Sequence, residues 1–235
     1  MPVNNCVISL SGGMDSGTLL AKMVNDNPDA NKQALFFMYG SKHNEFEIGA
    51  ARTLAATYGV PLEVVNLTEV SKLLKSNLLQ TGGDIPEGHY EAQSMSQTVV
   101  PGRNSIFIAI LTGLCESLGG GNVYVGVHAG DHAIYPDCRA AYIRAMFEAM
   151  QLASDFKVKV QAPFLHIDKS GICEIGLGLG VPYQSTRTCY KQQSIACGKC
   201  GSCCERREAF MKNNAVDPIE YVYNGPLPER PNAGT

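Results

Sequence analysis

Residues Ser11-Gly12-Gly13-Met14-Asp15-Ser16 constrain this chain more than any other segment. They follow the apolar run Val7-Ile8-Ser9-Leu10 and lead into Thr18-Leu19-Leu20-Ala21. A buried strand that passes through a glycine turn into a helix aims backbone N–H groups and a helix N-terminus at one point, which makes an anion site. Gly12 and Gly13 admit positive φ and let the backbone approach a ligand closely. Ser11 and Ser16 add hydroxyl donors. No lysine stands in the turn, so it is not the G-x-x-x-x-G-K-[ST] loop of phosphoryl-transfer enzymes. A lone Gly-Gly would read as an ordinary turn; the full hexapeptide after a first strand favours a nucleotide phosphate.

The bulk properties narrow the setting. A chain of 235 residues fits one sizeable α/β domain, alone or with a small appendage. Hydrophobic residues make up 45% and charged residues 17%, enough apolar content for a packed core. The net charge of −3, without a long basic run, argues against duplex nucleic acid or an anionic membrane as the main partner. No apolar stretch reaches the ~18 residues of a membrane span. The first residues lack a basic segment followed by an apolar one, so a cytoplasmic protein is expected.

Strand and helix patterns alternate along the first two thirds. A helix is expected to about Asn25, a strand over Ala34–Met38, and a helix over Ile48–Tyr58 closed by Gly59. A strand follows over Leu62–Val65 and a helix over Ser71–Leu79. Thr81–Thr98 has no period and carries Gly82, Gly83, Pro86 and Gly88; it reads either as a mobile lid near the site or as a disordered surface insertion. Beyond it come a helix over Asn104–Leu118, a strand over Asn122–Val127, a helix over Arg139–Leu152, a strand over Val158–Val160 and a helix over Asp168–Leu177. This β-α alternation implies a Rossmann-like parallel sheet with helices on both faces. Ligands collect beyond the carboxyl ends of such strands, where the strand order reverses. The expected domains are an α/β domain over 1–185, a C-terminal metal-binding subdomain over 186–222 and a flexible tail over 223–235.

Five of the nine cysteines crowd into one segment: Cys189, Cys197, Cys200, Cys203 and Cys204. A C-x2-C-x2-C run with one upstream cysteine supplies the four thiolates of a closed tetrahedral zinc site. By spacing, Cys189, Cys197, Cys200 and Cys203 are the ligands and Cys204 is surplus. Four thiolates leave no open position, so the expected role is structural, and metal binding would contribute folding free energy. An iron–sulfur cluster or a redox C-x-x-C pair explains the spacing less well. Cys6, Cys115 and Cys173 lie in apolar contexts and are expected in the core.

The hexapeptide resembles the pyrophosphate loop of the PP-loop ATP pyrophosphatase superfamily, with its HUP-type fold. Further segments narrow the resemblance: Tyr39-Gly40 with His43, Thr98-Val99-Val100-Pro101-Gly102-Arg103-Asn104, Gly126-Val127-His128-Ala129-Gly130-Asp131, Tyr135-Pro136-Asp137-Cys138-Arg139, Ile167-Asp168-Lys169 and the cysteine cluster. Together, over roughly residues 6–210, they resemble the 7-cyano-7-deazaguanine synthase (QueC) family. Ser41-Lys42 stand where many of its members carry Gln-Arg, and the spacing after Cys189 is a residue shorter.

That resemblance implies an enzyme that joins 7-carboxy-7-deazaguanine and ammonia at the cost of ATP, with Mg2+ on the phosphates and Zn2+ on the cysteines. It implies a homodimer acting on a small molecule, without direct nucleic acid or membrane partners. Ser11, Gly12, Gly13, Met14, Asp15 and Ser16 would hold ATP. Arg103 would pair with phosphate or with the substrate carboxylate. Lys169 would neutralise charge on the α-phosphate, or be a solvated helix-start lysine. Asp131 or Asp137 would read the guanine-like donor edge, or cap the following helix. His43 and His128 are candidate proton shuttles or buried structural histidines. Asn104 lies beside Arg103 in the substrate segment.

Three rivals remain open at this level. One is a relative that stops at the amide. Another is a different PP-loop adenylating enzyme that modifies tRNA, against which the net charge argues. The third is a zinc-ribbon binding module without catalysis, which leaves the first 180 residues without a purpose.

Overall fold

The computed structural model describes residues 4–231. Five strands form one parallel sheet: β1 (Asn5–Ser9), β2 (Asn31–Met38), β3 (Leu62–Asn66), β4 (Gly121–Tyr124) and β5 (Val158–Gln161). Their order is β3-β2-β1-β4-β5, so the winding reverses between β1 and β4. The helices are α1 (Met14–Asp26), α2 (Asn44–Thr57), α3 (Thr68–Ser71), α4 (Arg103–Ser117), α5 (Ala140–Ala153), α6 (Lys169–Gly178) and α7 (Gly201–Lys212).

Strand alternation sorts the core into two layers, as period-two side chains require. Val7, Leu35, Phe37 and Val123 face Ile108 and Leu111 of α4 and Ile143 of α5. Cys6, Ile8, Ala34 and Phe36 face Leu19 and Leu20 of α1, Leu54 of α2 and Ile172 of α6. Helices therefore cover both faces, as the sequence pattern requires. A third cluster joins α1 to α6 and α7 through Met14, Cys173, Tyr183 and Phe210. Cys6, Cys115 and Cys173 are fully buried. Among the described residues, no helix is long and apolar enough to cross a membrane.

Two segments depart from expectation. The helix expected over Ser71–Leu79 does not form: the single turn of α3 ends at Ser71, and residues 72–79 form turns that bury Leu78 and Leu79. Ser76 Oγ accepts the Leu78 N–H at 3.1 Å, a local bond that competes with helix. The backbone of this stretch pairs elsewhere: Lys42 N–H donates to Leu78 O and Gln80 N–H to Gly40 O. Gly82 seals the turn, because a Cβ there would stand 2.0 Å from Ser76 O. The second departure is Thr81–Thr98, which is irregular but packed. Ile85, His89, Met95 and Thr98 are buried, Gly88 N–H donates to Lys199 O, and Glu87 bridges to Cys200. It lies against the cysteine segment. β4 also ends three residues early: Val125 N–H still reaches Gln161 O, after which the chain turns toward the site.

Candidate active site

The Ser11–Ser16 turn leaves the carboxyl end of β1 at the point where strand order reverses. Gly12 has φ +84°, and a Cβ there would sit 2.6 Å from Glu47 O and 2.7 Å from Ala51 N. Only glycine lets the turn lie this close to α2. Ser11 Oγ lies 3.0 Å from Ser16 Oγ and accepts the Gly13 N–H at 3.2 Å. Gly13 precedes the first turn of α1 with no side-chain cap, which leaves helix N–H groups for an anion. The Met14 side chain is buried beneath, among α6 and α7 residues.

Around this turn the fold gathers charge. Lys169, at the start of α6, is buried; its Nζ lies 3.2 Å from Asp15 Oδ2 and 2.5 Å from Glu205 Oε2. Burial opposes its charge, but Asp15, Glu205 and Asp131 outweigh that and hold it protonated. His128, beyond β4, accepts the Gly130 N–H on Nδ1 at 3.1 Å. Its ring proton is thereby assigned to Nε2, which faces Asp131 Oδ2 at 3.4 Å and Asp15 Oδ2 at 3.7 Å. Burial disfavours the imidazolium, yet Asp131, Glu205 and Asp15 together raise its pKa. Asp15 Oδ1 is buried and accepts no hydrogen bond among the described residues.

The other end of the same cleft is aromatic, with Arg103 and Arg187 as its charged side chains among the described residues. Phe37 and Phe107 stack at 4.0 Å and 9°, and Tyr39 meets Phe107 edge-on. His43 is buried, its Nδ1 has no hydrogen-bond partner among the described residues, and its Nε2 lies 3.5 Å from Glu47 Oε2. Burial, with the Arg103 charge adding to it, lowers the His43 pKa to about 3. Burial pushes the Glu47 carboxyl up to about 8, against the pull of Arg103 and Arg187. Arg103 also lines the cleft, close to Tyr39, Cys138 and Tyr190.

Of the residues singled out from sequence, Ser11, Gly13, Met14, Asp15, Ser16, His43, Arg103, Asn104, His128, Asp131 and Lys169 all line this one cleft. Gly12 lies beneath it. Asp137 does not line it: its Oδ2 accepts the Asn104 N–H at 3.1 Å, which caps the start of α4. The Asn104 side chain reaches back to Asp137 O and Cys138 Sγ, so the pair ties two loops together. Glu47, Arg187, Tyr190 and Glu205 were not anticipated. Glu47 stands one helical turn beyond His43, and Glu205 directly follows the cysteine run; both spacings were visible signals.

The four expected ligands converge. The Sγ atoms of Cys189, Cys197, Cys200 and Cys203 are all buried and lie within 4.8 Å of one another. A tetrahedral zinc with ~2.3 Å bonds needs sulfurs ~3.8 Å apart, and Cys197 and Cys203 are 3.9 Å apart. Backbone N–H groups of Lys199 and Cys200 point at Cys197 Sγ, which suits a thiolate. The donor set fits a tetrahedral metal. Cys204 Sγ turns away toward the carbonyls of Gly198 and Lys199. This centre is joined to the cleft at two points. The Arg187 backbone N–H holds Gly12 O at 2.8 Å while its guanidinium grips the carbonyls of Lys191, Gln193 and Ser194. Helix α7 starts at the ligands and places Glu205 on Lys169. Arg206, wholly buried, anchors α7 through a two-pronged pair with Asp217 at 2.8 Å and a bond to Thr186. Of the tail, residues 223–231 are described; Arg207 donates to Gly225 O, and Arg230 pairs with Glu91.

A family model described as queuosine biosynthesis protein QueC matches residues 5–214. Proteins named 7-cyano-7-deazaguanine synthase are similar along nearly their whole length. That of Methanoregula boonei is 43% identical, covering 92% of this chain and 98% of its own. That of Hahella chejuensis is 44% identical, covering 93% of each. That of Porphyromonas gingivalis is 45% identical, covering 92% of this chain and 96% of its own. Among solved structures, the U34-tRNA thiolase NcsA of Methanococcus maripaludis, with its [4Fe-4S] cluster, superposes with a TM-score of 0.50 at 16% identity. The match spans 90% of this chain and 65% of the thiolase. That likeness is one of fold.

Proposed function

The chain belongs to the QueC family, an enzyme family of the ligase type, and from that premise we propose that it converts 7-carboxy-7-deazaguanine and ammonia to 7-cyano-7-deazaguanine with ATP. One observation carries the reading. An uncapped glycine turn at a helix N-terminus, a buried lysine and a carboxylate–histidine pair share a single cleft with an aromatic end that carries Arg103. That arrangement suits a nucleotide beside a flat heterocycle.

The chemistry follows from leaving groups. A carboxylate resists attack because oxide leaves poorly. Attack of a carboxylate oxygen on the α-phosphorus of ATP expels pyrophosphate and gives an acyl adenylate. Ammonia then adds to the acyl carbon and AMP departs, leaving the amide. Attack of the amide oxygen on a second ATP expels pyrophosphate again; loss of AMP and two protons closes the C≡N bond. Two ATP are consumed per nitrile, and each carboxylate oxygen leaves on AMP.

The residues divide this work. The Ser11–Ser16 turn holds the phosphates through N–H and hydroxyl donors. Lys169 offsets charge on the α-phosphate at the moment it grows. Asp15, with its unpaired Oδ1, suits a Mg2+ ion, which supplies charge neutralisation along the phosphates. His128, with Nδ1 accepting the Gly130 N–H and Nε2–H aimed at Asp131 and Asp15, is assigned to orienting those two carboxylates. His43 stays neutral and is assigned hydrogen bonding to the heterocycle. Arg103 pairs with the substrate carboxylate or a phosphate. Since Asp137 caps α4 and Asp131 faces His128, the acceptor for the donor edge is assigned to Glu47. Two N–H donors from such an edge would compensate its buried carboxylate. Cys189, Cys197, Cys200 and Cys203 hold structural Zn2+. The working form is a cytoplasmic homodimer.

Mass analysis of the product formed from 7-carboxy-7-deazaguanine, ammonium and Mg-ATP tests this reading. The nitrile is expected. Accumulated amide identifies the shorter reaction, and an unchanged acid rejects both.

A further inference from the structure

The acid and ATP both occupy the main cleft in the function proposed above, and ammonia must still reach the acyl carbon without admitting bulk water. Two smaller cavities adjoin this cleft. A cavity of about 180 Å³ opens on the far side of Lys169 and Glu205, between α6, α7 and residues 90–91. It shares Tyr90, Gly130 and Glu205 with a narrow throat of about 20 Å³. The throat in turn shares Asp131, Tyr190 and Ser202 with the main cleft. Its volume suits one molecule the size of water or ammonia.

The throat has a chemical bias. Two carboxylates, Asp131 and Glu205, line it with the rings of Tyr90, Tyr135 and Tyr190; no basic side chain among the described residues lines it, while Lys169 pairs with Glu205 from outside. The Glu205 side chain is only 8% exposed. Lys169 takes its Oε2; Oε1 accepts no hydrogen bond among the described residues and abuts Gly130, where a Cβ would stand 2.5 Å away. A buried, half-satisfied carboxylate beside aromatic faces suits a small cation with several N–H donors. The Arg230–Glu91 ion pair stands at the outer cavity.

We propose that the throat between Glu205 and Asp131 is an ammonium site, and that ammonium reaches the reaction through this side passage rather than through the main cleft. On leaving the throat, ammonium passes one proton by way of the Asp131 carboxylate to solvent water, and neutral ammonia enters the cleft. The inference rests on the adenylating function proposed above, and its test keeps the two apart.

The variant is Tyr90→Trp, which fills the throat and lies away from the phosphate turn. Its KM for ammonium should rise about tenfold, with KM for ATP and the acid held within about twofold. Acid-dependent exchange of pyrophosphate into ATP, run without ammonium, should be unchanged. An unchanged ammonium KM, or an equal loss in the exchange reaction, overturns the passage. Absence of exchange in the unaltered enzyme rejects the adenylating function instead. Independently of any variant, anomalous diffraction from crystals soaked in rubidium, an ammonium stand-in, should place the ion between Glu205 and Asp131. A throat free of rubidium overturns the proposal.

Discussion

Lys169 is proposed to serve chemistry as well as stability, and the two can be separated. Its ammonium is 6% exposed, 2.5 Å from Glu205 and 3.2 Å from Asp15. Replacing it with methionine leaves Glu205 buried beside Asp131 and Asp15 without a counter-charge. Breaking a buried pair from one side costs about 3–5 kcal/mol. For a chain of this length that lowers the melting temperature by about 6–20 °C. Lys169→Met with Glu205→Met removes both charges; Asp15 is a quarter exposed and keeps His128 nearby. The double variant should recover most of the lost stability, since apolar replacement of a whole buried pair is often close to neutral. Turnover should not recover. Loss of a charge donor at the reacting phosphate costs about 10²–10³-fold. Urea unfolding, zinc content and acid-dependent AMP release, measured on both variants, give the two answers. A double variant as unstable as the single one would show that the pair is not coupled. Near-normal turnover in either variant would remove Lys169 from the chemistry.

Glu47 gives stability a pH dependence. Its folded pKa is about 8 against an ordinary 4.5, so its contribution is full below 4.5 and is lost as pH rises through 8. The unfolding free energy of the unaltered protein relative to Glu47→Gln should fall between pH 5 and 8, by up to about 1.4 kcal/mol per pH unit; parallel curves would refute this. Gly12→Ala forces a Cβ onto the α2 backbone and an alanine into positive φ, which costs at least about 1–2 kcal/mol. ATP affinity measured by calorimetry should collapse in a protein that still folds, and retained affinity would contradict the turn's assignment. Cys200→Ser, or a strong chelator, should strip one zinc per chain, measured by atomic emission, and reduce solubility. A soluble, zinc-free, fully active Cys200→Ser protein would contradict the structural role.

The sequence carried most of the architecture because its signals are local. Strand runs, the glycine turn and the cysteine spacing each report on a few neighbouring residues, and those elements stand where the pattern put them. Ser71–Leu79 failed as a helix because its Ser76 turn and its bonds to residues 40–42 outweigh an apolar period that propensity alone would accept. The parts of the site that were missed are long-range. The place of Glu205 directly after the cysteine run marks it as close to the metal ligands, but its contact with the start of α6 depends on how four distant thiols close. Glu47 looks like an ordinary surface glutamate of a helix until the phosphate turn is packed over it. Asp137 was missed for a matching reason: it was expected to bind the heterocycle or cap the helix after it, and it instead caps α4, 33 residues upstream, a contact that exists only in the folded chain.

The account stands on transfer of AMP to an oxygen of the acid, and isotope tracing tests it most directly. Acid carrying ¹⁸O in both carboxylate positions should be turned over with ammonium and Mg-ATP. The account predicts that the label appears in the phosphoryl group of AMP, two labelled AMP for each nitrile, with unlabelled pyrophosphate. Label released to water, or ATP consumed to ADP and phosphate, would contradict it.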